Sequence, residues 1–277
     1  SDGVFGRDVE FKWTEIGGAV GLRVPLVLTS SRYSRSLSIG NAVGYTQVSG
    51  FKNTVSENGS VISSGYGRLV AADDSLSYNF IDKASNGDLL YNQFTFSFNN
   101  LLKRSRRDIN SKYGQSVAVE AYNTAFGGDF EGHLYVARGA FYFPGLFKHH
   151  SIYFRGGYQQ RLSDFNLNTY SFRNRLGKPR GYSYPQDTRF YTISSNYALP
   201  IWYPDINIGP LLNIQRIKAN LYYDYGKGEG NQFFYRFKTG EPTLVYQRTN
   251  DDSYHSIGAE VTFDINIMRF LPQFELG

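Results

Sequence analysis

No cysteine occurs in the 277 residues, so a disulfide framework and a thiolate metal site are both excluded. One Met and four His leave little material for metal or acid–base chemistry. No run of 18 apolar residues is present, which excludes a transmembrane helix. It does not exclude a membrane, because a spanning β-strand needs only about 9–11 residues with every second one apolar. The opening stretch SDGVFGRDVEF lacks the apolar core of a signal peptide. No sustained 3.6-residue period appears, so helices find no support. The negative mean hydropathy argues against helical spans alone, since half of a barrel strand faces water.

What is abundant is Tyr (23), Phe (22) and Gly (29), a composition that favours strands and turns. Period 2 runs through the chain. In SIGAEVTFDINI, Ile257, Ala259, Val261, Phe263, Ile265 and Ile267 alternate with Gly258, Glu260, Thr262, Asp264 and Asn266. In RIKANLYYDYG, Ile217, Ala219, Leu221, Tyr223 and Tyr225 alternate with a face bearing Arg216, Lys218, Asn220 and Asp224. LLYNQFTFSFNN, SIYFRGGYQQ, SLSIGNAVGY and QSVAVEAYNT repeat the pattern. The periodicity predicts strands near 15–29, 34–48, 63–80, 88–101, 112–125, 132–144, 150–162, 188–203, 209–226 and 253–268, with partial strands at 8–13 and 271–277. The expected fold is all-β: one antiparallel transmembrane β-barrel domain of the outer-membrane type over 1–277, with about ten to twelve strands. Short connections (PGLFKHH, PDINIGP) alternate with long polar ones over 163–187 and 227–252, as at the two rims of such a barrel. The 49–62 connector is longer than that scheme prefers.

Aromatics gather at strand ends, at Phe141–Phe143, Trp202, Tyr203 and Phe270, as interfacial girdles do; filling a soluble β core is the other reading. The net charge of +5 permits contact with anionic lipid or lipopolysaccharide. The basic turn KRSRRD, 103–108, reads as a solvated turn, with lipid or partner contact as the alternative. His255 and Ser256 are adjacent on a strand and point to opposite faces, so they form no nucleophile–base pair, and His149–His150 fails as a chelate for the same reason. No enzyme, cofactor, metal or nucleic-acid function is expected.

The loop SDFNLNTYSFRNRLGKPRGYSYPQDTRF holds Arg180, Gly181 and Tyr182; it is followed by YTISSNYALPIWYPD, IKANLYYDYGKG and DSYHSIGAEVTFDI. This order resembles the C-terminal barrel of the outer-membrane assembly and two-partner-secretion transporter superfamily (the BamA and TamA surface-antigen family). The resemblance implies that the Arg-Gly-Tyr loop folds back into the lumen and that Arg180 pairs with acidic groups on the inner wall. It nominates Asp224, in a stretch similar to the family's Phe-x-Asp-x-Gly, as the wall partner. The family's wall Glu falls on Asn196, which removes one charge. The motifs cover roughly 130–277. The resemblance also implies sixteen strands and periplasmic domains ahead of the barrel, so the chain is expected to be a partial barrel.

The residues point to the same pair. Asp224 shares a face with Arg216, Lys218 and Asn220, and an Arg on an inserted loop needs a carboxylate, best met by a bidentate fork. Gly181 permits a positive φ at the loop tip. Glu260, with Arg216 and Lys218, is a candidate lumen charge, either a counter-charge for an Arg or simply hydrated, and Asp264 is expected to be hydrated. The expected function is non-enzymatic assistance to insertion or transport of proteins across the bacterial outer membrane. Lipid, lipopolysaccharide, client proteins and accessory subunits are the partners, and clients would add strands at the barrel seam. The alternative is a passive porin-like channel whose lumen charges Arg155, Arg216, Lys218 and Asp224 set selectivity. Asn174 is expected to be a neutral loop position.

Overall fold

The computed structural model describes residues 7–57, 60–66, 77–79, 86–105, 107–161, 170, 172–182, 187–208, 212–238, 241–267 and 274–277. Among them there is no helix. The chain forms β1 (Arg7–Ser30), β2 (Tyr33–Glu57), β3 (Ser60–Tyr66), β4 (Ser77–Asn79), β5 (Gly87–Leu102), β6 (Gly114–Asn123) and β7 (His133–Pro144). It continues through β8 (Ser151–Arg161), β9 (Arg189–Trp202), β10 (Ile206–Ile208), β11 (Leu212–Lys238), β12 (Glu241–Ile267) and β13 (Phe274–Leu276). All thirteen belong to one sheet, ordered β1-β2-β5-β6-β7-β8-β9-β11-β12-β13, and every pairing is antiparallel.

Because side chains alternate, residues opposite one another across a ladder share a face. One such row runs Leu26–Leu37–Phe98–Val117–Gly139–Gly156–Ile193–Tyr225–His255. The next is Asn99–Ser116–Ala140–Arg155–Ser194–Asp224–Ser256, on the opposite face. The first face is apolar and open: Val20 and Leu22 are each 84% exposed and Ile257 is 82%. Its apolar stripe lies around residues 20–26 on β1, but around 257–263 on β12, where the ladder places Leu26 level with His255. The stripe thus drifts by about one residue per strand, the stagger of tilted strands.

The second face carries what core there is. Phe172 and Leu176, from the segment between β8 and β9, pack on Tyr122, Leu134, Val136 and Phe190 of the sheet. Each such side chain contributes roughly 1.5–3 kcal/mol by leaving water. At the other end Ile109, from the β5–β6 turn, packs on Tyr153 and Ala198.

Three expectations are corrected. The region 227–252 is no loop: β11 and β12 pair through it, from Lys227–Ser253 to Lys238–Glu241. The described residues of the 49–62 connector are strand as well, since β2 continues to Glu57 and pairs with β3 from Ser60. The partial strand at 8–13 is the first part of β1, across an irregularity between Lys12 and Thr14. Phe270 lies outside the described residues, while Trp202 and Phe141 are exposed at strand ends.

Candidate functional site

The site forms where the 172–182 segment rests on the second face of β8, β9, β11 and β12. Glycine makes the seat. A Cβ on Gly226 would stand 2.9 Å from Pro179, and one on Gly157 or Gly228 would run into Leu176 or the Asp187 carboxylate. Glycine inside a strand marks such a close approach. Gln159, 1% exposed on β8, holds the segment by its backbone: its Oε1 accepts from the N–H of Arg175 (2.8 Å) and Leu176 (3.3 Å), while its Nε2 donates to Asn174 Oδ1 at 2.6 Å. Arg161 also donates to Asn174. Asn174 is an anchor, and the expectation of a neutral position is corrected.

The tip is a turn in which the N–H of Tyr182 donates to the carbonyl of Pro179 at 3.3 Å. Gly181 sits at φ +87°, the left-handed conformation that a turn of this kind needs at its third residue. A Cβ there would meet nothing, so the backbone alone demands glycine. Tyr182 donates its hydroxyl to the His255 carbonyl (3.0 Å) and stacks edge-on against Tyr254.

Arg180 does not form the expected two-bonded fork with Asp224. Its Nη2 donates to Asn196 Oδ1 at 2.9 Å; its Nε stands 3.3 Å from Glu260 and 3.6 Å from Asp224; its guanidinium lies 3.8 Å above the Tyr222 ring. The closest contact to Asp224 from this residue is the backbone N–H, at 3.2 Å. Asp224, 4% exposed, is held on its other side by the Ser194 hydroxyl at 2.5 Å. Asn196, 2% exposed, donates to Ser194 (2.8 Å) and accepts from Asn220 (3.0 Å). A buried carboxylate at 196 would have added a second charge to desolvate; here the neutral amide takes the hydrogen bond and Glu260 on β12 supplies the second charge.

Arg216 and Lys218 stand apart from this cluster. Both clasp Asp264: Arg216 Nε at 2.7 Å and Lys218 Nζ at 3.0 Å. Lys218 also meets Glu275 of β13. Asp264 is 1% exposed, which corrects the expectation that it is hydrated. The turn 103–108 is also no merely solvated loop. Asp108, 7% exposed, accepts from the Ser105 N–H (3.1 Å) and meets His149 Nδ1 at 2.8 Å, while Arg104 donates to the Ile109 carbonyl.

Two charges of the segment between β8 and β9 are shifted by burial. It lowers the Lys178 ammonium below its ordinary value, partly offset by Asp187 and Asp252. It raises the Asp187 carboxyl, partly offset by Lys178. Lys178 also lies over the Tyr254 ring at 3.7 Å. His255 meets the Tyr223 hydroxyl at 2.9 Å on the apolar face, and among the described residues no cluster suits a metal ion.

Sequence reasoning missed Gln159, Ser194, Tyr222 as a cation seat, and the glycine track; it placed Asn220 on the face of Asp224 but gave it no role. A polar residue on the second face of β8 and glycines on the second face of β8 and β11 were the available signals. No family model, curated protein or solved structure matches the chain.

Proposed function

We propose that the chain is the barrel wall and lumen loop of an outer-membrane assembly or translocation transporter. The observation that carries this reading is the two-sidedness of the sheet. One face shows open apolar rows from β1 to β12; the other holds a polar network with the Arg180–Tyr182 turn docked into it. An apolar face of that extent is unfavourable in water and suits hydrocarbon, and the polar face suits a wet lumen. Among the described residues ten strands follow one another in the sheet order, where the family resemblance implies sixteen. In this reading the loop braces the wall near β12, and client strands add at the sheet edge by main-chain pairing.

The test compares Arg180→Ala with Arg173→Ala, an exposed position on the same segment that loses the same charge. Removing Arg180 leaves Asn196, Asp224 and Glu260 underpartnered, at a cost of about 1–3 kcal/mol. Expected is a lower unfolding temperature in detergent and slower client insertion into liposomes for Arg180→Ala alone. Equal behaviour of the two variants would sink the brace. Steady single-channel conductance with no effect on clients would move the passive channel ahead.

A further inference from the structure

Beneath the docked segment lies a hollow of about 480 Å³. Its floor is built from small side chains on inward rows, among them Ser97, Ser116, Ala118, Ala140 and Ser194. Four cations border it, Arg138, Arg155, Lys178 and Arg180, against one lining carboxylate, Asp224, with Glu260 beside Arg180 at 3.3 Å. Asp224 is already engaged by Ser194 and Arg180, Arg138 is spent on Glu120, and Lys178 lies on Tyr254.

Arg155 and the Nη1 group of Arg180 remain, the other guanidinium nitrogens of Arg180 being engaged by Asn196, Glu260 and Asp224. Arg155 touches only the Tyr153 ring, at 4.9 Å, and has no hydrogen-bond or ion-pair partner among the described residues. Arg180 Nη1 is buried without a hydrogen-bond partner, a position that costs free energy unless something accepts from it. Their stacking partners Tyr153 and Tyr222 flank Asn196 in one row. Two strand spacings set these rings about 10 Å apart, so the guanidiniums above them are placed to grip one small anion from two sides.

We propose that this hollow binds a small, water-soluble dianion of the phosphate class between Arg155 and Arg180, with serine hydroxyls of the floor completing its hydrogen bonds. The hollow lies on the face opposite the exposed apolar rows, so the ligand arrives from the aqueous side and is not a lipid headgroup. The placement of Arg155 and Arg180 follows from the fold, while the exclusion of a lipid headgroup rests on the barrel reading.

The experiment is calorimetric titration of the full chain in detergent with inorganic phosphate at pH 8, beside acetate at equal ionic strength. Phosphate should bind about tenfold more tightly than acetate, because only the dianion satisfies two guanidiniums. Arg155→Gln should weaken phosphate about tenfold, and Arg107→Ala, in the rim turn, should leave it unchanged. Equal affinity for the two anions, no measurable phosphate binding, or equal loss in both variants would overturn the site. If Arg155→Gln does not fold, the phosphate–acetate comparison on the unaltered chain decides alone.

Discussion

At the scale of single residues, the molecule depends on a few buried polar groups with several partners each. Gln159 satisfies two backbone N–H groups of the docked segment and one side chain. Gln159→Ala strands those donors, at about 1–3 kcal/mol for each that stays dry. We expect faster amide hydrogen exchange across 174–180 with the strands unchanged; unchanged exchange there would refute the anchor. Asp264 is the second case. Asp264→Asn leaves Arg216 and Lys218 facing a neutral amide, and breaking so buried a pair costs about 3–5 kcal/mol. Its unfolding midpoint should fall well below that of Glu275→Gln, whose carboxylate is exposed. Arg180 and Asp224 were nominated by the resemblance of their two stretches to family motifs, and the alternation along 216–226 put Asp224 on the polar strand face. The sequence hid the actual arrangement. Which of Asn196, Asp224 or Glu260 receives which donor depends on ladder register, and a register is fixed by pairing between strands far apart in the chain.

At the scale of elements, alternation made β5 to β9 legible within a residue or two, because each has one apolar face against which to alternate. The outer halves of β11 and β12 were read as loop for the converse reason. Residues 227–252 are rich in charge and carry no sustained apolar face, so period 2 has nothing to reveal, yet main-chain pairing holds them. The rim turns are a separate matter. Burial pushes the Asp108 carboxyl up, but hydrogen bonds from His149 and Ser105 and the nearby Lys112 outweigh it and hold the group below its ordinary value. A carboxyl lowered in the folded state stabilises it above the usual Asp range, and that stability is lost as pH falls through the folded value. Acidification below about pH 4 should therefore loosen the contact between the β5–β6 and β7–β8 turns. Hydrogen exchange at residues 105–110 would show it, and Asp108→Asn should remove the dependence. A pH-independent turn in the unaltered chain would contradict this.

At the scale of the whole molecule, the drift of the apolar stripe sets an inclination. One residue of stagger per strand, against the spacing between strands, corresponds to a tilt of about 35°. Polarised infrared dichroism of oriented bilayers should report strands tilted near that angle; strands lying parallel to the bilayer plane would rule out spanning. At that pitch β6, with ten residues, rises about 27 Å, close to the height of a bilayer's apolar band. β11 and β12, with 27 residues each, rise about 70 Å. Beyond Glu229, where pairing with β9 ends, β11 continues to Lys238 against β12, with β4 joining at Phe234–Arg236, so in the barrel reading this end of the hairpin would stand clear of the bilayer as a narrow mast, on the same side as the segment that carries Arg180. Antibodies or proteases added from that side would meet the mast first.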